Sequence, residues 1–572
     1  MKTFALILLA SCAATPRPFP FREPLATDTD MKDVSVDCRV DPTKDDPDHK
    51  NCAPREYISP FIWDQLDNVL FARISRGLSL HTSGEAANVN SLDEVADSAW
   101  FTNKPRGEAS HDEAPGACKP EDMLPEPADV KPGEWVIDHG KDNGSTLGFR
   151  INIEGKGKYM LKADDEGLPE RASAASVIGA AIYDEVGFNT SCEQVVFFKK
   201  EQLKLTPGLK VYDNEGISHP FDDAALDKTL KSTTNLPNGI IRMQASKWLP
   251  GKTIGPFRYI GTRADDPNDI IDHEHRRELR GSRVLAAWLD HWDAREQNSM
   301  DVWFSTDKKD KAASPGHVVH YILDTSDTMG GAVGIDEMSR RLGHSYNFDF
   351  GDVGRSLFTF GIMEFPWDRA TKLEGKEKFS YFSTREFDPG AWKPLYPNPA
   401  FLAMSEHDAA WMARKLARFS HEDIVRLVKL GRWQNASDVA FLVNTLEVRL
   451  HRILVRYFSK LSPLGEVRLD GTKICATDFA RLREVGSASS FRYTVVERHA
   501  GRAVALEATT GEDGAVCFVP QPMVTGSFAD GDPHRIVVLD VSNGTRAGPL
   551  RIQVYDLGAK GMKLVGLERF ED

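Results

Sequence analysis

The sequence predicts an α+β protein with a bilobal core and a small β-sandwich-like domain at its C-terminal end, and three observations support this. Between residues 135 and 162, short alternating segments indicate neighbouring strands. From residue 274 to 460 the apolar spacing is mainly helical. After Pro463, short alternating segments are separated by Gly, Asp and Asn turns, which is typical of a small all-β domain.

The predicted smaller lobe begins with strands at 135–140, 149–153 and 159–162. Gly144 and Gly148 lie in the turn between the first two strands and are candidate cofactor-binding residues, although they do not match G-x-G-x-x-G. Helical spacing follows from Glu170 to Val186, and a glycine closes it. This order of strands and helix predicts a sheet with one long helix beside it.

His291, Asp293 and Asn298 have the H-x-D-x4-N spacing of a kinase catalytic loop. In such a loop the aspartate accepts or orients the proton of the attacking hydroxyl, and the asparagine holds a magnesium ion on the phosphates. The spacing therefore points to phosphoryl transfer, with Asp293 and His291 as candidate catalytic residues and Asn298 as a candidate metal ligand.

The neighbouring features occur in the same order as in a kinase. Lys162 ends the third strand, where a kinase has the lysine that pairs with nucleotide phosphates. Glu170 is the candidate helix glutamate that braces this lysine, with Glu185 as the alternative. Asp324 follows the predicted strand 318–323 and would be the second metal ligand. These features predict Mg²⁺ or Mn²⁺ and ATP, or another nucleotide, as cofactors.

The chain resembles the atypical, protein-kinase-like superfamily that includes the HipA toxin kinases and the CotH spore-coat kinases, and more closely a group of bacterial lipoproteins. Segments 90–101, 275–281 and 295–298 carry the resemblance, which covers about residues 85–460. It implies Lys162 on the phosphates, Asp293 as catalytic base, and Asn298 and Asp324 on metal. The sequence departs from the pattern at Thr325-Ser326, where Phe-Gly or a similar pair is usual.

The N-terminal residues predict export. One lysine precedes the apolar run 4–10, and Leu9-Ala10-Ser11-Cys12 fits a bacterial lipobox. The run is far shorter than the roughly 20 residues of a membrane span. The resemblance implies cleavage before Cys12 and acylation of that cysteine, so that a lipid would anchor the protein to a membrane. Ala13 favours the outer membrane, facing the periplasm or the exterior, and an ordinary cleaved signal peptide is the alternative.

The cysteines agree with export. Six remain apart from Cys12, and an even number is compatible with three disulfides in an oxidising compartment. Their connectivity stays open, with Cys38/Cys52 and Cys475/Cys517 as the most local pairings. No spacing resembles C-x-x-C, so structural zinc lacks support.

Composition limits the function classes. The chain has 572 residues and a net charge of −14, which argues against a nucleic-acid-binding protein because such proteins normally present a basic face. The basic segment 275–283 departs from this trend. Its arginines are expected on solvent, in ion pairs with carboxylates, or on a phosphorylated substrate.

These patterns predict five regions. They are a signal peptide with lipobox (1–12), a tether and N-terminal extension (13–131), a kinase-like small lobe (132–248), a helical large lobe with the catalytic loop (249–460), and a C-terminal β domain (461–572). Within the extension, the Pro- and Asp-rich residues 13–55 indicate a stalk, and Lys104–Lys131 indicates a linker.

Three functions remain open. The leading hypothesis is an exported, lipid-anchored phosphotransferase acting from a Mg-nucleotide on a hydroxyl of a protein or glycan. The alternative is a catalytically silent, kinase-shaped scaffold or binding lipoprotein. A third hypothesis is a metallohydrolase that uses 273–275 with His291 and Asp293, although two histidines on the approach to a helix would diverge. The sequence does not specify the acceptor or the oligomeric state.

Overall fold

The computed structural model describes residues 28–40, 50–72, 74, 84–105, 115–141, 146–164, 167–212, 217–330, 336–499, 502–521 and 533–571. With 31% helix and 26% strand, the fold mixes both kinds of element, as predicted. Cys12, Gly144 and the predicted signal peptide lie outside the described residues.

The N-terminal segment packs against the body. β1 (Arg39–Val40) pairs with β2 (Lys50–Asn51), and α1 (Phe61–Leu66) follows. The carboxylate of the buried Asp30 accepts a hydrogen bond from the backbone of Ala99. The prediction of a stalk over 13–55 is therefore wrong at Asp30. This aspartate is buried and bonds to a backbone group of the body instead of facing water.

Seven strands form the first sheet, which carries Lys162. They are β3 (Trp135–Lys141), β4 (Gly148–Ile153), β5 (Gly157–Lys162), β7 (Glu193–Lys199), β8 (Leu203–Leu205), β11 (Thr234–Asn235) and β12 (Ile240–Lys247). β12 pairs with β5, β7 and β11, and the sheet continues from β5 through β4 and β3 to β8. Every pair is antiparallel except β3 with β8. The predicted strands 135–140, 149–153 and 159–162 are thus confirmed.

A long buried helix, α2 (Arg171–Val186), contacts β7 and β12 of this sheet. Its small residues let it approach its neighbours closely on several sides. At its end Gly187 has a φ of 128°, which a glycine adopts without strain. A hairpin of β9 (Lys210–Tyr212) and β10 (Ser218–Pro220), and helix α3 (Asp223–Ser232), complete this part of the chain.

The second sheet has the order β13 (Lys252–Thr253), β14 (Ser299–Ser305), β15 (Gly316–Ile322) and β6 (Asn189–Thr190). β14 and β15 are antiparallel, and Ser299 at the start of β14 faces Ile322 at the end of β15. The loop that precedes β14 and the turn that follows β15 therefore leave the sheet at the same edge.

Helices dominate residues 277–458. They are α4 (Arg277–Leu289), α5 (Asp336–Arg341), α6 (Phe350–Phe358), α7 (Pro399–Leu402), α8 (Glu406–Leu416), α9 (His421–Lys429) and α10 (Ala436–Phe458). One hydrophobic core joins α2, α4, α8 and α10 with the N-terminal segment around Trp100. Arg277 and Arg280 from the basic segment are buried against the Asp408 carboxylate, so these two arginines form structural ion pairs.

Two antiparallel sheets share one hydrophobic core after residue 463. One has the order β16 (Leu464–Asp470), β17 (Lys473–Asp478), β21 (Ala515–Phe518) and β20 (Thr509–Thr510). The other has the order β19 (Arg502–Leu506), β18 (Thr494–His499), β22 (Ile536–Ser542), β23 (Leu550–Asp556) and β24 (Met562–Arg569). A short helix, α11 (Phe479–Leu482), follows β17.

Three disulfides join Cys38 to Cys52, Cys118 to Cys192, and Cys475 to Cys517. The two local pairings named from the sequence are confirmed. The set is consistent with an exported protein.

Residues 115–131 are not a free linker, in contrast to the prediction for Lys104–Lys131. Cys118 is bonded to Cys192. The backbone oxygen of Asp122 accepts hydrogen bonds from the Tyr159 hydroxyl at 2.8 Å and from Gln194 Nε2 at 3.1 Å. A composition rich in Pro, Gly and acidic residues indicated a linker, but side chains of the first sheet satisfy its backbone groups and hold it in place.

Within the described part of the chain, no helix combines the length and the apolar composition that crossing a bilayer requires.

Candidate functional site

Lys162 and Asp324 connect the two sheets. Lys162 is the last residue of β5, and Asp324 is the second residue after β15. Their Nζ and Oδ2 atoms lie 2.9 Å apart. Burial alone would lower the pKa of Lys162, but the Asp324 carboxylate outweighs burial and raises it. Burial also opposes ionisation of Asp324, yet Lys162 holds the pKa of Asp324 well below its usual range.

The H-x-D-x4-N residues form a tight loop between α4 and β14. Asp290 turns the chain out of α4 in a left-handed conformation, with a φ of 56°. Asn298 Nδ2 donates to the backbone oxygen of Asp293 at 2.8 Å and to its Oδ2 at 3.0 Å. The backbone N–H of Leu323 donates to the backbone oxygen of Asn298 at 3.0 Å. Asn298 is thus paired with Leu323, the residue that precedes Asp324, where β14 begins and β15 ends.

Asp327 joins the loop to the turn after β15. Its Oδ2 accepts a hydrogen bond from the Asp293 backbone N–H at 2.9 Å. Burial and the nearby Asp324 charge raise the pKa of Asp327 to about 7. Burial and the Asp327 charge likewise raise the pKa of Asp293 to about 7, although Arg295, with its Nε 2.8 Å from Asp293 Oδ1, opposes this. Asp293 thus has a pKa suited to a base at neutral pH.

His291 supports the loop from behind. Its Nδ1 shares a hydrogen bond of 2.8 Å with the Tyr183 hydroxyl of α2, and its Nε2 lies 3.6 Å from Asp327 Oδ1. That carboxylate favours the tautomer with the proton on Nε2, so that Tyr183 donates to Nδ1. Burial lowers the pKa of His291 to about 4, so the ring is neutral at pH 7. Its hydrogen bond to Tyr183 therefore holds the ring beside Asp327, with Nε2 beyond hydrogen-bond distance of that carboxylate.

The turn that carries Asp324 rests on α2. The Thr325 hydroxyl donates to the Ser176 backbone oxygen at 2.8 Å. A Cβ at Gly179 would lie 2.7 Å from Thr325 Cβ, so only glycine allows this approach. Thr325-Ser326 thus fixes the turn with a hydroxyl to the helix, where the resemblance implies an aromatic residue and a glycine.

The helix glutamates do not brace Lys162, which corrects the prediction for Glu170 and for Glu185. Glu170 precedes α2 in a left-handed conformation, with a φ of 68°. That conformation directs its carboxylate to Lys378 Nζ at 3.0 Å and to the Gln434 backbone N–H at 3.0 Å. Glu185 pairs instead with Arg426 at 2.9 Å.

Glu193, which the sequence reasoning did not select, lies near Lys162. Its buried carboxylate accepts hydrogen bonds from Ser191, Ser246 and Gln244 at 2.6, 2.6 and 2.9 Å. Burial raises the pKa of Glu193, while the hydrogen bonds and the Lys162 charge act to lower it. The available signal was a charged residue shortly before the apolar run 195–198 of β7.

Gly148 lies directly opposite Lys162 in the pairing of β4 with β5. A Cβ at this position would lie 2.3 Å from the Leu161 backbone oxygen. Glycine is therefore needed for the two strands to pass beside the lysine.

Three oxygen-bearing side chains lie along this edge, and their chemistry suits a magnesium or manganese ion. Asn298 uses Nδ2 on Asp293, which leaves its Oδ1 for a cation. Asp327 Oδ1 is buried without a hydrogen-bond partner among the described residues. Carboxylate and amide oxygens are the ligands that Mg²⁺ and Mn²⁺ prefer. Asn298, Asp324 and Asp327 thus supply donor atoms of suitable chemistry.

The histidines at 273 and 275 point to different partners. Both ring nitrogens of His273 are engaged, Nε2 with Asp269 at 2.7 Å and Nδ1 with the Arg258 backbone oxygen. His275 Nδ1 accepts from Arg280 at 2.6 Å. They diverge as predicted for residues on the approach to a helix.

Comparisons of the chain with protein-family models, with curated proteins and with solved structures gave no match.

Proposed function

We propose that this chain is an exported, lipid-anchored, kinase-like phosphotransferase that moves a phosphoryl group from a Mg-nucleotide, such as ATP, to a hydroxyl of a protein or glycan. Its bilobal core would comprise 132–248 and 249–460, followed by the β domain. The main support is the pairing of Lys162 with Asp324 at the edge where Asn298 binds Asp293.

Each side chain has a role that its chemistry suits. Lys162 would bind phosphate oxygens. Asn298 and Asp324, with Asp327, would hold a metal ion that neutralises charge on the phosphates. Asp293 would accept the proton of the acceptor hydroxyl, for which a pKa of about 7 is well matched. His291 would support the loop through its hydrogen bond with Tyr183 of α2.

The proposed location combines two features. Three disulfides fit an oxidising compartment outside the cytoplasm. The lipobox ending at Cys12 would supply an acyl anchor in the outer membrane.

A catalytically silent scaffold or binding lipoprotein is the second candidate. In the structure Lys162 pairs with Asp324 at 2.9 Å and Arg295 Nε lies 2.8 Å from Asp293 Oδ1, so both aspartates face a cation without a nucleotide. A protein that kept the fold for binding alone would need no more than these ion pairs.

The decisive experiment is calorimetric binding of ATP with Mg²⁺ or Mn²⁺ to the wild type and to the Lys162→Ala and Asp324→Ala variants. We expect metal-dependent binding to the wild type and at least tenfold weaker binding to both variants. Asp293→Asn should bind the nucleotide normally but transfer no phosphoryl group, because it removes only the base.

Lys200→Ala is the matched control, since it breaks another lysine–aspartate pair, with Asp227, on the surface. It should bind like the wild type. If the folded wild type binds no nucleotide with either metal, the transferase proposal is wrong and the scaffold is favoured.

A further inference from the structure

Exposed apolar side chains concentrate in two short segments. Thirteen of the 23 exposed large apolar side chains among the described residues lie within 58–71 and 348–363. They are Ile58, Ile62, Trp63, Leu66, Phe71, Phe348, Phe350, Val353, Leu357, Phe358, Phe360, Ile362 and Met363. Single exposed apolar residues are normal, but clusters of this kind indicate an interaction surface.

The second segment contains α6, none of whose residues is buried. Leu357, Phe358 and Phe360 are 70%, 83% and 91% exposed. A helix that packed only against its own protein would bury an apolar stripe of this kind. The described residues therefore leave most of the apolar surface of α6 uncovered.

The first segment contains α1 and the turn of π-helix that continues it to Phe71. Ile62 is 75% exposed and Trp63 is 60% exposed. Asp64 and Asn68 lie on the opposite face and bond to each other at 2.9 Å. This segment too is amphipathic, with its apolar face turned outward.

Both segments lie next to the H-x-D-x4-N loop, the second of them through residues 393–395. On one side, Lys393 Nζ lies 2.6 Å from Asp349, the N-cap of α6. The backbone N–H of Asn347 donates to the Leu395 oxygen at 2.7 Å, and the Leu395 N–H donates to the Trp292 oxygen at 2.7 Å. Two backbone hydrogen bonds, both made by Leu395, thus connect the residues just before α6 to Trp292 in the loop.

On the other side, Asp64 and Asn68 line one cavity together with Arg295 and Tyr396. Gln297 Nε2 donates to the Ser59 hydroxyl at 2.5 Å. The loop is therefore flanked by two outward-facing apolar segments.

We propose that these two segments dock this face of the protein on a lipid bilayer. The predicted anchor Cys12 lies only 16 residues before Asp28, the first described residue. A fully extended chain of that length spans at most about 55 Å, so the body would stay next to the membrane. Phenylalanine, leucine and tryptophan are the side chains that amphipathic segments insert at the boundary of headgroups and acyl chains.

The charges of the two segments distinguish apolar insertion from attraction to anionic headgroups. Within 348–363 the charged residues are Asp349, Asp352 and Arg355, and within 58–71 they are Asp64 and Asp67. Neither segment is basic, so docking depends on apolar insertion and not on anionic headgroups. The docked orientation places the H-x-D-x4-N loop beside the bilayer, whether or not the protein transfers phosphate.

The test uses the full chain carrying Cys12→Ser, which removes the acylation site, with and without phosphatidylcholine vesicles. Amide exchange of α1 and α6 should slow when vesicles are added, and high salt should not reverse this. In the same background, Phe358→Ser with Phe360→Ser should raise the lipid concentration needed for half-maximal sedimentation at least tenfold. The N-terminal apolar run is identical in every variant.

Tyr212→Ser with Ile270→Ser is the matched control, since these residues are 61% and 74% exposed but lie outside both segments. It should sediment like the parent chain. Unchanged exchange of α1 and α6 with vesicles, or equal sedimentation of both double variants, overturns the proposal. If amide exchange of α1 and α6 slows without vesicles as the protein concentration rises, the proposal is also overturned. That result would indicate that a second copy of the chain binds this face.

Discussion

Asp293 and Asp327 are coupled carboxylates, and their coupling predicts a pH profile. Asp293 must be ionised to act as a base, so kcat/KM should fall about tenfold per pH unit below its pKa of about 7. Asp327→Asn removes a like charge and should move this acid limb to lower pH. The measurement is kcat/KM for nucleotide turnover from pH 5 to 8. The exposed Asp307→Asn is the control, and an acid limb that stays in place in Asp327→Asn would contradict the coupling.

His291 should make stability depend on pH. Its pKa is about 4 in the folded chain against an ordinary value of 6.5, so between these pH values only the unfolded chain takes up its proton. The contribution of His291 to the free energy of unfolding is complete above pH 6.5, and it decreases by about 3 kcal/mol as the pH falls to about 4. His291→Gln should remove this dependence. Urea unfolding at several pH values tests it, and parallel curves for both proteins would refute it.

At the scale of single residues, the sequence selected part of the candidate site. Lys162, Asp293, Asn298 and Asp324 could be selected because each has a fixed place relative to a strand or the loop. Glu193 could not, because its proximity to Lys162 depends on the lateral pairing of β7 with β12 and of β12 with β5. Such long-range register is not encoded in local spacing.

At the scale of elements, the close contact of α2 with the turn after β15 predicts the effect of one methyl group. Gly179→Ala would place a Cβ 2.7 Å from Thr325 Cβ and 2.8 Å from its Oγ1. The turn must move, which should destabilise the fold by about 1–3 kcal/mol. Metal-dependent nucleotide binding should weaken as well, because Asp324 adjoins Thr325. Chemical denaturation and calorimetry measure the two effects.

Gly354→Ala in α6 is the matched helical control. A Cβ there meets no atom within 4 Å, so the free energy of unfolding should stay equal or rise by up to about 1 kcal/mol. Equal stability and equal nucleotide binding for Gly179→Ala would show that the turn tolerates displacement.

Local sequence pattern predicted the regular strands and the long helix correctly, but it did not predict the structure of the irregular segment 115–131. The alternation in 135–162 and the helical spacing up to Val186 correspond to β3–β5 and α2. Residues 115–131 were misread because a disulfide and side chains distant in sequence hold them, and composition reports neither.

At the scale of the whole molecule, Asp93 joins three parts of the chain. Its Oδ1 lies 2.6 Å from Arg277 of α4, and its Oδ2 lies 3.0 Å from Arg414 of α8 and also contacts Arg569 of β24. All four side chains are nearly buried. The arginines hold the pKa of Asp93 far below its usual range although burial acts in the opposite direction. One carboxylate thus links the helical region to the C-terminal sheets.

Asp93→Asn should therefore weaken that link more than it weakens any single part. Asparagine tolerates the left-handed backbone here, with a φ of 55°, so the change removes charge without strain. Three guanidinium groups would lose the Asp93 charge, although Arg277 keeps Asp408, at a cost of about 3–5 kcal/mol. Thermal unfolding should then separate into two transitions. Asp540→Asn, which affects the partly exposed pairs with Arg498 and Arg551, should cost about 1 kcal/mol or less. Equal losses in the two variants, with one transition each, would show that the C-terminal sheets are held by their apolar contacts and not by Asp93.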